Sequence, residues 1–394
     1  MAKIMPIKGL RYHQQAVPFN PVTGCSNPAE LLQSCLQQGV IVPEEQPALY
    51  FYQQQFNYAG KKMIKHGLVA GVSFYPKQEG IIIPHQRVIP QEKERQLELL
   101  TSSGVQFTPV QGLYTDFAKT VDNILIDTLA TPADLEVNVG EDNLIRLKVV
   151  TDATLIDQVQ QAMDRQRIFI AAGEDSYAAM LQYAAEQPTA PYLLMALSNI
   201  YVPYLIISPV HRLVNIKPFH LNKFIKQLKE KLEVKEFTVH PDGSNLDEFL
   251  QLINPHGGQR LPIDHRRTFG VYAGGGKGYV VTLSDEGAMD RLLPRDGYTF
   301  ALQGLDAFIL HYGIFREIMG IGKEESKVES NIDYTNDAGT ALGKVDNGEF
   351  NLAFFINPVL RDELIAVAAG GELLPAKSTY FYPEFPAGLV CHRL

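Results

Sequence analysis

In the stretch "IFIAAGEDSYAAMLQYAAEQ", residues 168–187, Gly173 separates a short apolar strand from a helix. Free N–H groups and the helix dipole at such a turn favour a bound phosphate or carboxylate. Here the first helical turn carries Glu174 and Asp175, followed by Ser176. Two carboxylates stabilise a helix start through its dipole and repel a phosphate at the same place. The run therefore reads either as a well-capped helix or as an altered ligand site. In an active enzyme, the rival reading, Glu174 or Asp175 would serve as a base or hold Mg²⁺.

Other runs place cations where a ligand could meet them. His85 and Arg87 follow an apolar run in "IIPHQRV", and His211 and Arg212 follow another in "SPVHR". Such pairs just past strand ends suit a site at a sheet edge. The run "GGELLPAKST", residues 370–379, comes one residue from a P-loop. Ala376 stands where the second glycine belongs, Pro375 interrupts the loop, and a strand follows instead of a helix, so a P-loop is excluded. Lys377, Ser378 and Thr379 remain a candidate oxyanion-binding group. "AGGGKG", residues 273–278, lies between two alternating runs and reads as a hairpin turn. The ten histidines show no HExxH, HxH or Cys/His ligand spacing, so no metal site is expected. No Gly-x-Ser-x-Gly elbow is present, and no cofactor is assigned.

These residues need a scaffold of strands and helices. "ALYFYQQQF", "IKHGLVAGVSFYP" and "NLIRLKVV" are rich in aromatic and β-branched residues and predict strands. "NPAELLQSCLQQG" predicts a helix capped by Asn27 with Pro28 first, and "DATLIDQVQQAMD" a helix capped by Asp152. "YLLMALSNIYVPYLIISPVHRLV" predicts two strands broken near Asn199. "LDAFILHYGIFREIMG" has helical spacing at Leu305, Phe308, Ile309, Tyr312 and Phe315. We expect an α+β fold of two domains, residues 1–215 and 216–394, with mixed sheets flanked by helices. The formal charge of -9 argues against a nucleic-acid partner. No apolar run reaches ~18 residues, so no membrane span is expected. The three cysteines, Cys25, Cys35 and Cys391, lack CxxC spacing and suit a reducing cytoplasm.

Taken in order, several short runs resemble the bacterial and archaeal family called domain of unknown function 1015. They are "MPIKGLR" with Arg11, "ALYFYQQQF", "GLVAGV", "IIIPHQRVIPQEKERQLELL", "IFIAAGEDSYAAMLQY", "SPVHRLV" and "LPAKSTYFYPEFPAGLV". The family form of the opening stretch is Ile-Ala-Asp-Gly-His-His-Arg-Tyr. That form is similar to the phosphate-binding box of the ParB and sulfiredoxin superfamily. The resemblance implies a ParB/sulfiredoxin-like N-terminal part and an ancestral nucleotide or phosphoryl-transfer activity linked to serine metabolism. It also implies a ligand set of Arg11, His85, Arg87, Gly173, Ser176, His211, Arg212, Lys377, Ser378 and Thr379.

This chain departs from that pattern at its charged positions. Ala172 replaces the aspartate, and Glu174, Asp175 and Ser176 stand for His-His-Arg. Asn20 in "PFNP" and Gln86 in "PHQR" stand where acids are usual. Carboxylates at the turn reverse the local potential that would hold a phosphate. The reading that follows is a non-catalytic or regulatory binding protein with a degenerate nucleotide site. Its alternative is a nucleotide-dependent small-molecule kinase or transferase using His85, Arg212 and Lys377. A third is a purely structural or interaction protein. The expected partner is a small phosphorylated or anionic ligand. His85, Gly173 and Arg212 are expected to line one cleft in the N-terminal domain, reached by Lys377, Ser378 and Thr379 from the C-terminal one.

Overall fold

A computed structural model describes residues 3–13, 27–73, 81–140, 142–164, 166–187, 192–240, 242–254, 267–283, 287, 292–293, 297–321 and 331–394. Asn20 with its "PFNP" run and Cys25 lie outside the described residues. The chain divides into two compact units. The first comprises Met1–Pro84, Val88–Ile206 and Phe381–Leu394, and the second His85–Arg87 and Ile207–Tyr380.

In the first unit, Leu49–Tyr58 and Lys61–Ser73 pair antiparallel from Tyr50↔Val69 to Tyr58↔Lys61. Ala59 and Gly60 join them with φ of 49° and 73°, the two positive values that a two-residue hairpin turn needs. These strands sit inside a mixed sheet. Its order is Ile82–Ile83, Ile168–Ala172, Val110–Tyr114, Tyr192–Asn199, Lys61–Ser73, Leu49–Tyr58, Asn143–Val150 and Leu135–Asn138, with Ile4–Met5 on Lys61–Ser73. Val110–Tyr114 runs parallel to Tyr192–Asn199, and Ile168–Ala172 parallel to Ile82–Ile83. The helices Pro90–Ser103, Thr120–Leu129, Ala153–Met163 and Glu174–Glu186 send Leu100, Leu125, Val159 and Met180 into one core with Leu68 and Met195. Asp152 accepts the Leu155 amide at 2.8 Å and Asn27 the Glu30 amide at 3.3 Å, the caps expected from local sequence. A second core on Tyr50, Tyr52, Val69 and Ala196 takes in Leu32, Phe107 and Leu389.

The second unit holds an antiparallel sheet ordered Glu233–Thr238, Lys277–Leu283, Arg267–Tyr272, Leu352–Phe355, His211–Val214 and Ile332–Thr335. Leu213, Phe249, Tyr272, Ala341 and Phe355 build its core. The glycine cluster is the expected hairpin turn, with Gly274, Gly275 and Gly276 at φ of 77°, 58° and 79°.

Three features differ from the sequence-based expectation. The run at 192–214 forms three strands, Tyr192–Asn199, Ile206–Ser208 and His211–Val214. The last of these pairs with Ile332–Thr335 and Leu352–Phe355, so backbone bonds to a far later segment place it in the second unit, ahead of the expected boundary at 215. The segment Ile309–Ile318 winds as a π-helix, not an α-helix, and the Met319 amide donates to the Ile314 carbonyl at 2.9 Å. The architecture is α+β. Among the described residues no helix is long and apolar enough to cross a membrane.

Candidate functional site

The strand Ile168–Ala172 ends beside Val110–Tyr114 with a register shift between Ile170 and Ala172. Gly173 then turns the chain at φ 94°, a left-handed value that favours glycine, and its carbonyl accepts the Tyr177 amide at 2.8 Å. Glu174, the first helical residue, is 3% exposed. Asp175 turns to the neighbouring helix: its Oδ1 accepts the Ile89 amide at 2.7 Å, and Ile89 is the cap of Pro90–Ser103. The carboxylate thus satisfies one of the donors that a helix start leaves unpaired. Ser176 is half-buried. Arg11, also in this unit, is held by Glu44 at 2.6 Å and by the Tyr12 carbonyl at 3.4 Å. Its guanidinium is part of an ion pair, which differs from the open ligand-binding cation expected of it.

The second unit brings two sequence-distant motifs together. The His85 carbonyl accepts the Leu374 amide at 2.8 Å, and the Arg87 amide donates to the Leu374 carbonyl at 2.9 Å. On this short parallel bridge, His85 Nε2 and Thr379 Oγ1 are 2.6 Å apart, both buried. Gln86 Oε1 accepts the Ser378 amide at 3.0 Å, and the Ser378 hydroxyl donates to the Pro375 carbonyl at 2.6 Å. Lys377 forms the crown of that turn, exposed and at φ 54°. Non-glycine residues rarely adopt this conformation. Arg87 lies over the Tyr312 ring, 5.9 Å from its centre.

His211 and Arg212 belong to this unit too, which corrects their expected place in the N-terminal domain; Gly173 belongs to the first unit. His211 is buried, its ring tilted against Phe355 at 5.1 Å and its Nδ1 accepting the Ile356 amide at 3.4 Å. Burial, aided by Arg212, pulls its pKa down to about 4, so it is a neutral core group and not the expected phosphate-binding cation. Arg212 is 3% exposed, donates to the Val210 carbonyl and lies over Tyr334 at 5.5 Å. Burial lowers its pKa to about 10, which leaves it charged at neutral pH.

Two polar groups escaped the sequence reading. Asn199 Nδ2 donates to the Asp116 carbonyl at 2.6 Å and to Asp122 Oδ2 at 2.5 Å, and burial raises the Asp122 carboxyl. Lys65 is buried on the strand Lys61–Ser73, paired with Gln54. Its only signal in the sequence is a lysine in phase with Gly67 and Val69 of an apolar strand. Among the described residues no group of three or more His, Cys, Asp or Glu side chains is placed to hold a metal ion.

A family model described as "Protein of unknown function (DUF1015)" matches residues 4–308. Among solved structures the chain is similar to a conserved hypothetical protein from Pyrococcus furiosus, at 14% identity over 78% of this chain and 90% of that one, with a TM-score of 0.39. It is similar to a free serine kinase in complex with AMP, at 15% identity over 76% and 83% of the two chains, with a TM-score of 0.38. It is also similar to SbnI with C-terminal truncation from Staphylococcus aureus, at 12% identity over 78% and 82%, with a TM-score of 0.36. No curated protein matches.

Proposed function

Because the chain belongs to the DUF1015 family of proteins of unknown function, we propose that it is a non-catalytic binding protein whose turn at Gly173 descends from a ParB- or sulfiredoxin-like phosphate site. The observation that carries this is the first turn of Glu174–Glu186. Its carboxylates serve the scaffold: Glu174 is buried, and Asp175 caps the neighbouring helix through Ile89. An anion approaching that turn meets negative charge where a phosphate site offers histidine or arginine. A cation of the expected ligand set at a tight turn is Lys377, in a turn braced by Ser378 and Gln86. The ligand of this reading is a small anionic molecule and not a nucleotide, and the protein is regulatory.

Calorimetry with ATP and CTP, with and without Mg²⁺, tests it. The expected Kd is millimolar or weaker, about -4 kcal/mol at most. Ala172→Asp, Glu174→His and Ser176→Arg together, with Asp175 kept for Ile89, should raise the affinity to a measurable level. Micromolar binding by the wild type would overturn the reading and make the carboxylates metal ligands of a nucleotide-dependent transferase.

A further inference from the structure

One corner of the first unit's sheet carries polar side chains that take no part in the turn at Gly173. Lys61–Ser73, Leu49–Tyr58 and Asn143–Val150 lie side by side there, with Leu135–Asn138 beyond them. The registers Asn57↔Lys62, Gln55↔Leu144 and Leu144↔Asn138 put these five residues on one face, because cross-strand partners share a face and side chains repeat every second residue. Asp142 precedes Asn143, the partner of Phe56, and so continues the row of Asn57 and Lys62.

A cavity of about 220 Å³ lies at this corner, and its lining includes Gln55, Asn57, Lys62, Asn138, Asp142 and Asn143. At ~30 Å³ of liquid per water it has the bulk of about seven waters, which admits one small molecule with a single ring. Asn143 is held in place: its Oδ1 accepts Gln54 Nε2 at 3.1 Å, and the buried Gln54 also donates to the Glu384 carbonyl at 3.1 Å. The side chains of Gln55, Asn57, Lys62, Asn138 and Asp142 make no hydrogen bond or ion pair with the described residues. Five polar groups therefore turn their bonding capacity to one space.

The chemistry of this lining selects a ligand class. Lys62 and Asp142 cancel in charge, so the cavity favours neither an anion nor a cation. Each amide presents a donor and an acceptor together, and the ligand group that answers both is a hydroxyl. Lys62 and Asp142 stand on either side of Leu49–Tyr58, two strand spacings or about 10 Å apart in backbone position. That is wider than the two charges of an α-amino acid. Phe56, 1% exposed, offers no open ring face on which a base could stack. Leu144, half-buried on the same face, supplies apolar surface for ring C–H groups.

We propose that this corner binds one neutral polyhydroxylated ring, a monosaccharide or a cyclitol, through Gln55, Asn57, Asn138 and Asp142, with Lys62 as a further donor. The isotope-labelled full chain tests this by NMR titration with glucose, galactose, mannose and myo-inositol, and with glycine as the zwitterionic control. At least one of the four polyols should give saturable shifts of the Gln55, Asn57 and Asn138 side-chain amides, with a Kd in the millimolar range. Asn57→Ala and Asn138→Ala should each weaken that binding about three- to tenfold. Both residues are exposed, and unchanged backbone signals from Tyr50 and Val69 would verify that the sheet is intact. A hexose acting without inositol would assign the site to monosaccharides, and the reverse to cyclitols. Failure of all four to saturate by about 100 mM overturns the proposal. So does polyol binding that survives the double variant, or glycine binding more tightly than every polyol.

Discussion

Replacing Lys65 by Met should stabilise the protein at neutral pH and cease to do so in alkali. The drop of the Lys65 ammonium from 10.5 to about 8 corresponds to about 3 kcal/mol of disfavoured charge, at ~1.36 kcal/mol per pH unit. The sign follows from proton counts. Between pH 8 and 10.5 the unfolded chain holds the proton and the folded chain releases it, so stability rises with pH through that window. Below pH 8 both states are charged and the folded state carries the full penalty. Met has nearly the same shape and no charge, but it leaves the Pro383 carbonyl without its donor, which costs about 1 kcal/mol. The net gain at pH 6.5 is therefore about 2 kcal/mol, and by pH 10.5 the variant should be the less stable by about 1 kcal/mol. Urea denaturation of both proteins at the two pH values, in sulfate buffer, reads this directly. A variant destabilised by the same amount at both pH values would refute the reasoning, because the ammonium would then be contributing packing alone.

Asp175→Ala should cost about 1–3 kcal/mol in urea, since it strands the part-buried Ile89 amide; a loss under about 0.5 kcal/mol would mean that water takes over the bond. His211 should stay neutral down to about pH 5 in an NMR titration, given a pKa near 4. Its folded pKa lies below the unfolded 6.5, so the unfolded state binds more protons between these values and stability falls as pH drops from 6.5 towards 4. His211→Phe should flatten part of that decline, and an unchanged acid limb would show that His392, also drawn down to about 4, carries it.

Features set by near neighbours in sequence were legible, and features set by distant ones were not. Asn27 and Asp152 cap helices three residues away, and the glycine hairpin closes on itself, so composition and spacing suffice. Apolar spacing at 305–315 announces a helix, yet it does not distinguish an α-helical turn from the slightly wider π-helical one seen at Ile309–Ile318. His85 and Arg87 read as residues at a strand end. Their actual partner is Leu374, nearly three hundred residues on, and no local pattern reports that pairing. The burial of Lys65 has no local signature for the same reason: the Pro383 carbonyl that it meets comes from the far end of the chain.

The two carboxylates at Gly173 show where a motif comparison and a contact argument part company. Compared with a phosphate-binding box, Glu174 and Asp175 look like a charge reversal. Compared with the fold, Asp175 is a cap on the wrong helix: it sits in the first turn of Glu174–Glu186 and ends the orphaned donor at Ile89. A carboxylate there gains about 0.3–1 kcal/mol from its own helix dipole and about 1–3 kcal/mol from the bond to Ile89. A histidine in the same place would have to supply a neutral ring nitrogen to the Ile89 amide, and when protonated it would face its own helix dipole unfavourably. The stabilisation therefore comes from the acid itself and needs no bound phosphate to be realised. A phosphate site keeps its basic residues only while a ligand rewards them, whereas this turn is stable empty, which is why restoring the basic pattern has to spare Asp175 if the scaffold is to survive the test.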